Sequence, residues 1–145
     1  MPRKDDWSDL SDWMDSVDDM VVKEVRDTSL EFMKSITQPT DNASHKVGNT
    51  PVDSGRLMAN NILSIGKPTN MSSMNTDREG IDTYLSAAGK LTYLEPYQAV
   101  YIQNNLNYAT VADTGTPKDR AWEFTAPYYF WHNNATRIES EWSGR

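Results

Sequence analysis

A chain of 145 residues with formal net charge −7 and no cysteine cannot be a disulfide scaffold or hold a thiolate metal site. It is also a poor fit for gripping nucleic acid, because phosphate binding is driven by Lys and Arg displacing counterions. At 37% hydrophobic content and mean hydropathy −0.72 the chain is polar for a lone globule, yet five Trp and seven Tyr argue against disorder, so surfaces covered only in an assembly are expected.

The length fits one domain, 1–145, able to bury roughly two thirds of the surface its unfolded form exposes. The first residues carry no apolar leader core and no 18-residue apolar run follows, so a soluble chain with no secretory signal and no membrane partner is expected. Over 7–36, Trp7, Leu10, Met14, Val17, Val21, Val25, Phe32 and Ile36 recur three and four apart with one gap around Thr28, which predicts an amphipathic helix. A helix of that length spans ~45 Å, more than the ~40 Å diameter of a compact domain this size. It must kink or project. Asp5, Asp6, Asp9, Asp12, Asp15, Asp18 and Asp19 crowd its first half while Lys23, Arg26 and Lys34 lie in the second, which suits the helix dipole. The bland reading of the acidic run is a solvated face.

Residues 37–49 are rich in turn formers and read as a surface loop, with His45 a solvated loop residue. The stretch 50–57, TPVDSGRL, stops and restarts the chain. Pro51 disfavours helix at Thr50, Asp53 is expected to cap a short turn, Gly55 gives backbone freedom, and Arg56 is expected to pair with Asp53 or dock on a neighbouring surface. A strand with Ile62, Leu63 and Ile65 follows, then a second polar loop, 67–78. Two loops this long in a small domain imply that at least one serves a surface.

A helix is predicted over 79–88, with Ile81, Tyr84, Leu85 and Ala88 on one face and Gly89 as its C-terminal cap. A short strand at 91–94 and the strongest strand, 99–103, come next, and then a helix of one to two turns from Leu106 or Asn107 through Val111, ended by Asp113, Thr114 and Gly115. The last helix is placed at 126–142, with Thr125 as cap and Pro127 in its first turn. Tyr128, Trp131, Ala135, Ile138 and Trp142 form its stripe. With Trp122, Phe124, Tyr129 and Phe130 beside it, the segment holds more aromatic surface than one helix usually buries, so Trp122, Phe124, Tyr128, Trp131 and Trp142 serve either core packing or a subunit interface. The class is α+β: a small mixed or antiparallel sheet flanked by a long N-terminal helix, short helices and a C-terminal helix, with a long acidic helix at 1–36 and a sheet-containing body at 50–145.

Chemistry is offered and left incomplete. The triplets Asp53-Ser54-Gly55 and Asp113-Thr114-Gly115 resemble the paired carboxylates of an aspartic protease, but one opens a helical turn, the other closes one, and no glycine lies between Gly115 and Gly144 to brace the second. Ser54 has no nucleophile-elbow context. His132-Asn133-Asn134 starts like an HNH nuclease signature and lacks its second His. No phosphate-binding loop or dinucleotide fingerprint occurs, and no catalytic role, cofactor or metal is expected.

Three blocks in order, TPVDSGRLMANNILSIG, VYIQNNLNYATVADTG and APYYF, resemble the small neck or tail-completion proteins of tailed bacteriophages. The matching residues are Thr50, Pro51, Val52, Asp53, Gly55 and Arg56; then Tyr101, Ile102, Asn104, Asn105, Leu106, Tyr108, Ala109 and Gly115; then Ala126 and Pro127. The chain departs from that pattern with Asn107 for Pro, Ser54 for Thr, and an extra loop at 37–49. The resemblance implies a non-enzymatic virion subunit at the head–tail junction, assembled in the host cytoplasm as a ring of six or twelve copies. Its implied partners are other copies of itself, portal or head-completion proteins, and tail-terminator or tail-tube proteins, with DNA passing transiently and without specific contact. A tail-terminator role, or a protein-binding adaptor outside the virion, is the alternative. In the ring, Asp12, Asp15, Asp18 and Asp19 are the candidates for facing the channel, where an acidic wall would repel phosphates and keep DNA from sticking; an outward-facing helix is the other arrangement.

Overall fold

The computed structural model describes residues 7–41, 43–116 and 126–143. The chain is α+β. Helix α1 (Ser8–Ile36) leads to strand β1 (Pro39–Thr40), β2 (Thr50–Pro51), the single turn α2 (Arg56–Ala59), β3 (Ile62–Ile65), α3 (Ile81–Leu91), β4 (Val100–Gln103), α4 (Ala109–Thr114) and α5 (His132–Ser143).

The strands form two separate ribbons. β1 and β2 pair parallel, Pro39 beside Thr50, while β3 and β4 pair antiparallel with Leu63 opposite Ile102 and Ile65 opposite Val100. Residues 37–49, expected as a plain loop, therefore contribute a strand. Its partner strand is anchored by Thr50, fully buried, whose N–H donates to the Gln38 carbonyl at 2.8 Å and whose hydroxyl donates to that of Ile36.

The main core lies where α1, α3 and α5 meet the β3–β4 ribbon. Phe32, Met33, Ile36, Leu63, Ala87, Leu91, Leu94 and Ile138 fill it, with Val22, Val25, Tyr84 and Ile102 packed around. The apolar stripe of α1 thus does what its period requires, but over half its length. Buried α1 residues begin at Ser29, and residues 7–16 are all exposed. The expected projection is present. Tyr97, in the left-handed region at φ 66°, donates its hydroxyl to Asp18 at 3.0 Å and braces the helix where it leaves the body. That carboxylate holds the Tyr97 hydroxyl above the usual phenol range.

Three sequence expectations are corrected. Gly89 sits inside α3 rather than capping it, and 91–94 is no strand. Leu91 and Leu94, both buried in one core, need the three-residue spacing of a helical turn, and Leu94 N–H donates to the Leu91 carbonyl at 3.2 Å. The last helix starts at His132 instead of Ala126, because 126–129 is held by other backbone: Tyr128 and Tyr129 N–H donate to Ala112 and Asp113 carbonyls, and Gly48 N–H to that of Tyr128. Pro127 therefore precedes the helix.

Asp77 caps α3. One carboxylate oxygen accepts from Gly80 N–H at 2.9 Å, the other from the N–H and hydroxyl of Thr83 at 2.8 and 2.7 Å. Partial burial pushes this carboxyl up, but the Thr83 and Gly80 hydrogen bonds outweigh it and hold Asp77 below the ordinary carboxylate value. Asp77→Ala is expected to cost about 1 kcal/mol, up to ~2, at pH 7. A depressed folded pKa means the stabilisation is complete above ~3.9, the unfolded value, and is lost as pH falls through the folded one. Denaturant melts from pH 7 downward should show the variant's deficit shrinking below pH 4; a constant deficit counts against the cap.

Candidate functional site

The three separated sequence blocks meet in space. Leu57 from the first, Leu106 and Ala109 from the second, and Tyr128 and Phe130 from the third form a second core, with Ala112 packed on it. Asn104 ties the first two together, its amide donating to the Leu57 carbonyl at 2.9 Å and to Asn61 Oδ1 at 3.0 Å. Residues far apart in sequence thus make one unit, which a scan of local pattern cannot display.

The turn at 50–57 is a socket for the second loop. Asp53 is exposed and does not cap α2; Gly55, at φ 91°, takes the capping position, and Arg56 N–H meets Ser54 Oγ at 3.3 Å. Arg56 does not pair with Asp53. Its Nε donates to the Ser73 carbonyl at 3.2 Å, and the Asp53 carbonyl accepts from Arg78. The loop is also gripped by Asn60, fully buried, which donates to the Ser73 carbonyl at 3.0 Å and accepts from Ser73 N–H at 2.7 Å. Asn105 adds two bonds, to the carbonyls of Thr69 at 3.0 Å and Met71 at 2.9 Å. So held, the loop presents Met71 and Met74 to solvent, 68% and 77% exposed. Tyr108 joins 51–57 and Tyr128 in lining an open cleft of about 260 Å³.

Asp113 of the second triplet is also structural. Its Oδ1 accepts from the N–H groups of Trp131 at 2.9 Å and His132 at 3.2 Å, fixing the start of α5. Gly115, at φ 86° and ψ 177°, adopts a backbone that only glycine enters freely and ends α4. The two triplets hold different helices.

Of the aromatic candidates, Tyr128 is 5% exposed and belongs to the second core, where His45 stacks on it with ring centres 4.1 Å apart and donates to the Pro127 carbonyl at 3.2 Å. Neither is a solvated surface residue. Trp131 and Trp142 are partly exposed: the first sets its edge against Phe32, and the second donates its indole N–H to Thr28 Oγ1 at 3.0 Å. Trp122 and Phe124 lie outside the described residues. Among the acids, Asp12, Asp15 and Asp19 fall on one exposed strip at spacings of three and four, whereas Asp18 turns to Tyr97.

Every buried side-chain nitrogen or oxygen among the described residues has a partner, and no group of three or more His, Asp or Glu there could hold a metal ion. No helix among them is long and apolar enough to cross a membrane. The fold and its surfaces define an α+β chain whose long leading helix overhangs a body with two small cores. No protein-family model, curated protein or solved structure matches it.

Proposed function

We propose that this chain is a structural subunit of a tailed-phage neck, assembling as a ring that joins the portal and head-completion complex to the tail and lets DNA pass. The observation that carries this reading is the overhang of α1. Leu10, Trp13, Met14 and Met20, with Trp7 at the cap position just before them, are 45–67% exposed at the start of a helix whose later turns form the main core. A lone soluble protein gains nothing from displaying that much apolar surface, whereas a neighbour can cover it. The convergence of the three blocks on one core gives the resemblance a physical basis, since those residues support each other rather than a catalytic pocket.

The test is direct. Native mass spectrometry and negative-stain microscopy of the purified chain, alone and mixed with portal or tail complexes, should show a ring, and imaging of the virion should find it at the head–tail junction. A monomer that never joins either complex would sink the reading. A narrower expectation concerns the exposed acidic strip: replacing Asp12, Asp15 and Asp19 by Lys together should slow genome release from assembled particles, because cations lining the channel would hold phosphates. Release at the normal rate from particles carrying the triple variant counts against a channel-facing strip.

A further inference from the structure

Helix α5 is poorly equipped to stand alone. Five of its twelve residues, Asn133, Asn134, Thr136, Ser140 and Ser143, are weak helix formers. Glu139 and Glu141 lie near its C-terminal end, where the helix dipole favours cations, and its last turn holds no basic residue to offset them. An isolated helix of this length is marginal in water even when built from good formers. Residues 132–143 are helical because they are docked.

The docking is thin. Only Ile138 of the twelve is buried, with Ala135 half-buried on the same core. Ile138 is one of eight buried residues in the main core, and the second core of Leu57, Leu106, Ala109, Tyr128 and Phe130 holds no residue of α5. Across to α1 the bonds are polar and exposed: Arg137 Nη1 donates to Glu31 Oε1 at 2.7 Å, Arg137 Nη2 to Ser35 Oγ at 2.9 Å, and the Trp142 indole N–H to Thr28 Oγ1 at 3.0 Å. Exposed ion pairs contribute little and are screened by salt. Glu141, 3.0 Å from the same guanidinium, competes with Glu31 for it. The root of the helix is held differently. Asp113 Oδ1 accepts from Trp131 and His132 N–H, and the Asn134 amide donates to the Gly48 carbonyl at 3.1 Å, so the first turn is pinned to α4 and to the loop between β1 and β2.

We infer that α5 is a clasp: residues 135–143 melt off α1 as a unit while both cores stay folded, and the pinned first turn guides the helix back to its seat. Its departure takes one buried side chain from the main core and none from the second, so the rest of the fold keeps what holds it and the opening is sub-global. Open, the subunit uncovers a strip of α1 carrying Thr28, Glu31 and Ser35 beside the Phe32 edge of the main core, a surface that the closed form keeps covered. Salt favours the open form, because it screens the pair between Arg137 and Glu31. The device belongs to the single subunit and does not depend on the ring reading.

Native-state hydrogen exchange of the full chain, read residue by residue, tests the clasp. Amides of 136–143 should exchange about tenfold or more faster, relative to their unstructured rates, than those of 85–91 in α3, and with a weaker dependence on denaturant. Raising salt from about 0.1 M to about 1 M, which cuts the screening length from ~10 to ~3 Å, should speed exchange in α5 and leave α3 unchanged. Arg137→Met should abolish that salt response. Ile138→Ala should speed α5 by a further factor of about ten or more without altering α3 or the Ala112 N–H of α4, which donates to the Tyr108 carbonyl. Equal protection of α5 and α3, lost together as denaturant rises, would overturn the inference, since the helix would then leave only with the whole fold. So would an Ile138→Ala chain in which both helices speed up by the same factor.

Discussion

Gly80→Ala is expected to destabilise the fold by about 3 kcal/mol or more. Gly80 precedes α3 with φ 80°, a left-handed backbone that costs about 1–3 kcal/mol for a residue with a side chain in a strained setting. A Cβ there would also stand 3.0 Å from the Thr37 carbonyl carbon and closer still to its oxygen. That neighbour is backbone and cannot swing away. Thr37 closes α1, its N–H and hydroxyl both donating to the Met33 carbonyl at 3.0 and 2.7 Å, so relief would require α1 and α3 to separate and open the main core. Overpacking of this kind adds a further ~1–3 kcal/mol. Chemical denaturation should show a large fall in midpoint. Gly66→Ala makes a good control, since φ is 88° there too but nothing lies within 4 Å of the added carbon; the difference between the two variants isolates the steric part. Equal losses would mean that the close approach of α3 to Thr37 contributes little.

Asn60→Asp should be nearly as damaging, by about 3 kcal/mol at pH 7, although it changes shape hardly at all. The Asn60 side chain is fully buried, and its NH₂ group faces two carbonyl oxygens, of Arg56 at 2.8 Å and Ser73 at 3.0 Å. A carboxylate there would oppose both acceptors with negative charge while out of water, and its pKa would rise above the unfolded value near 3.9. A raised acid pKa reverses the usual sign. The penalty is full at neutral pH and fades as pH falls through the raised folded value toward 4, where the protonated acid again has a proton to donate. Stability of Asn60→Asp measured against wild type should therefore converge on lowering pH, the opposite of the expected flat or falling curve for a merely mispacked side chain. Because Asn60 and Arg56 hold Ser73, proteolysis within 67–78 should speed up in the same variant at pH 7 and not at pH 4.5. A pH-independent deficit would indicate that the Asn60 amide does not grip the loop.

Sequence pattern revealed the elements that depend on one period and concealed those that depend on distant partners. The stripe from Trp7 to Ile36 announces a helical period, the apolar residues around Leu63 and the β-branched and aromatic run VYIQ announce strands, and α1, β3 and β4 follow. The start of α5 was hidden because Pro127 is as good in an extended segment as in a first helical turn; what decides is the ladder from Tyr128 and Tyr129 to α4, which only the folded chain brings into being. The same holds for Asp53 and Arg56. Three residues apart, they suit a local pair, yet the loop from Lys67 to Arg78 offers backbone partners that draw Arg56 to Ser73 and Arg78 to Asp53. Asn60 and Asn61 gave no signal by period, and Asn104 and Asn105 stand in the sequence only as matched positions; in the fold these paired amides join the first block, the second block and the loop.

The brace between Tyr97 and Asp18 has a mechanical corollary. N-terminal to it the helix is a cantilever, free to differ in length without disturbing either core. Seven extra residues inserted after Ser16 would carry the tip ~10 Å farther and rotate it by only about 20°, so the reach of this arm can be retuned while its sticky side keeps pointing the same way. Four extra residues would add ~6 Å and swing that side by about 40°. Arm length and arm orientation are therefore separable quantities in this protein, set by how many helical residues precede the one aspartate that the Tyr97 phenol holds.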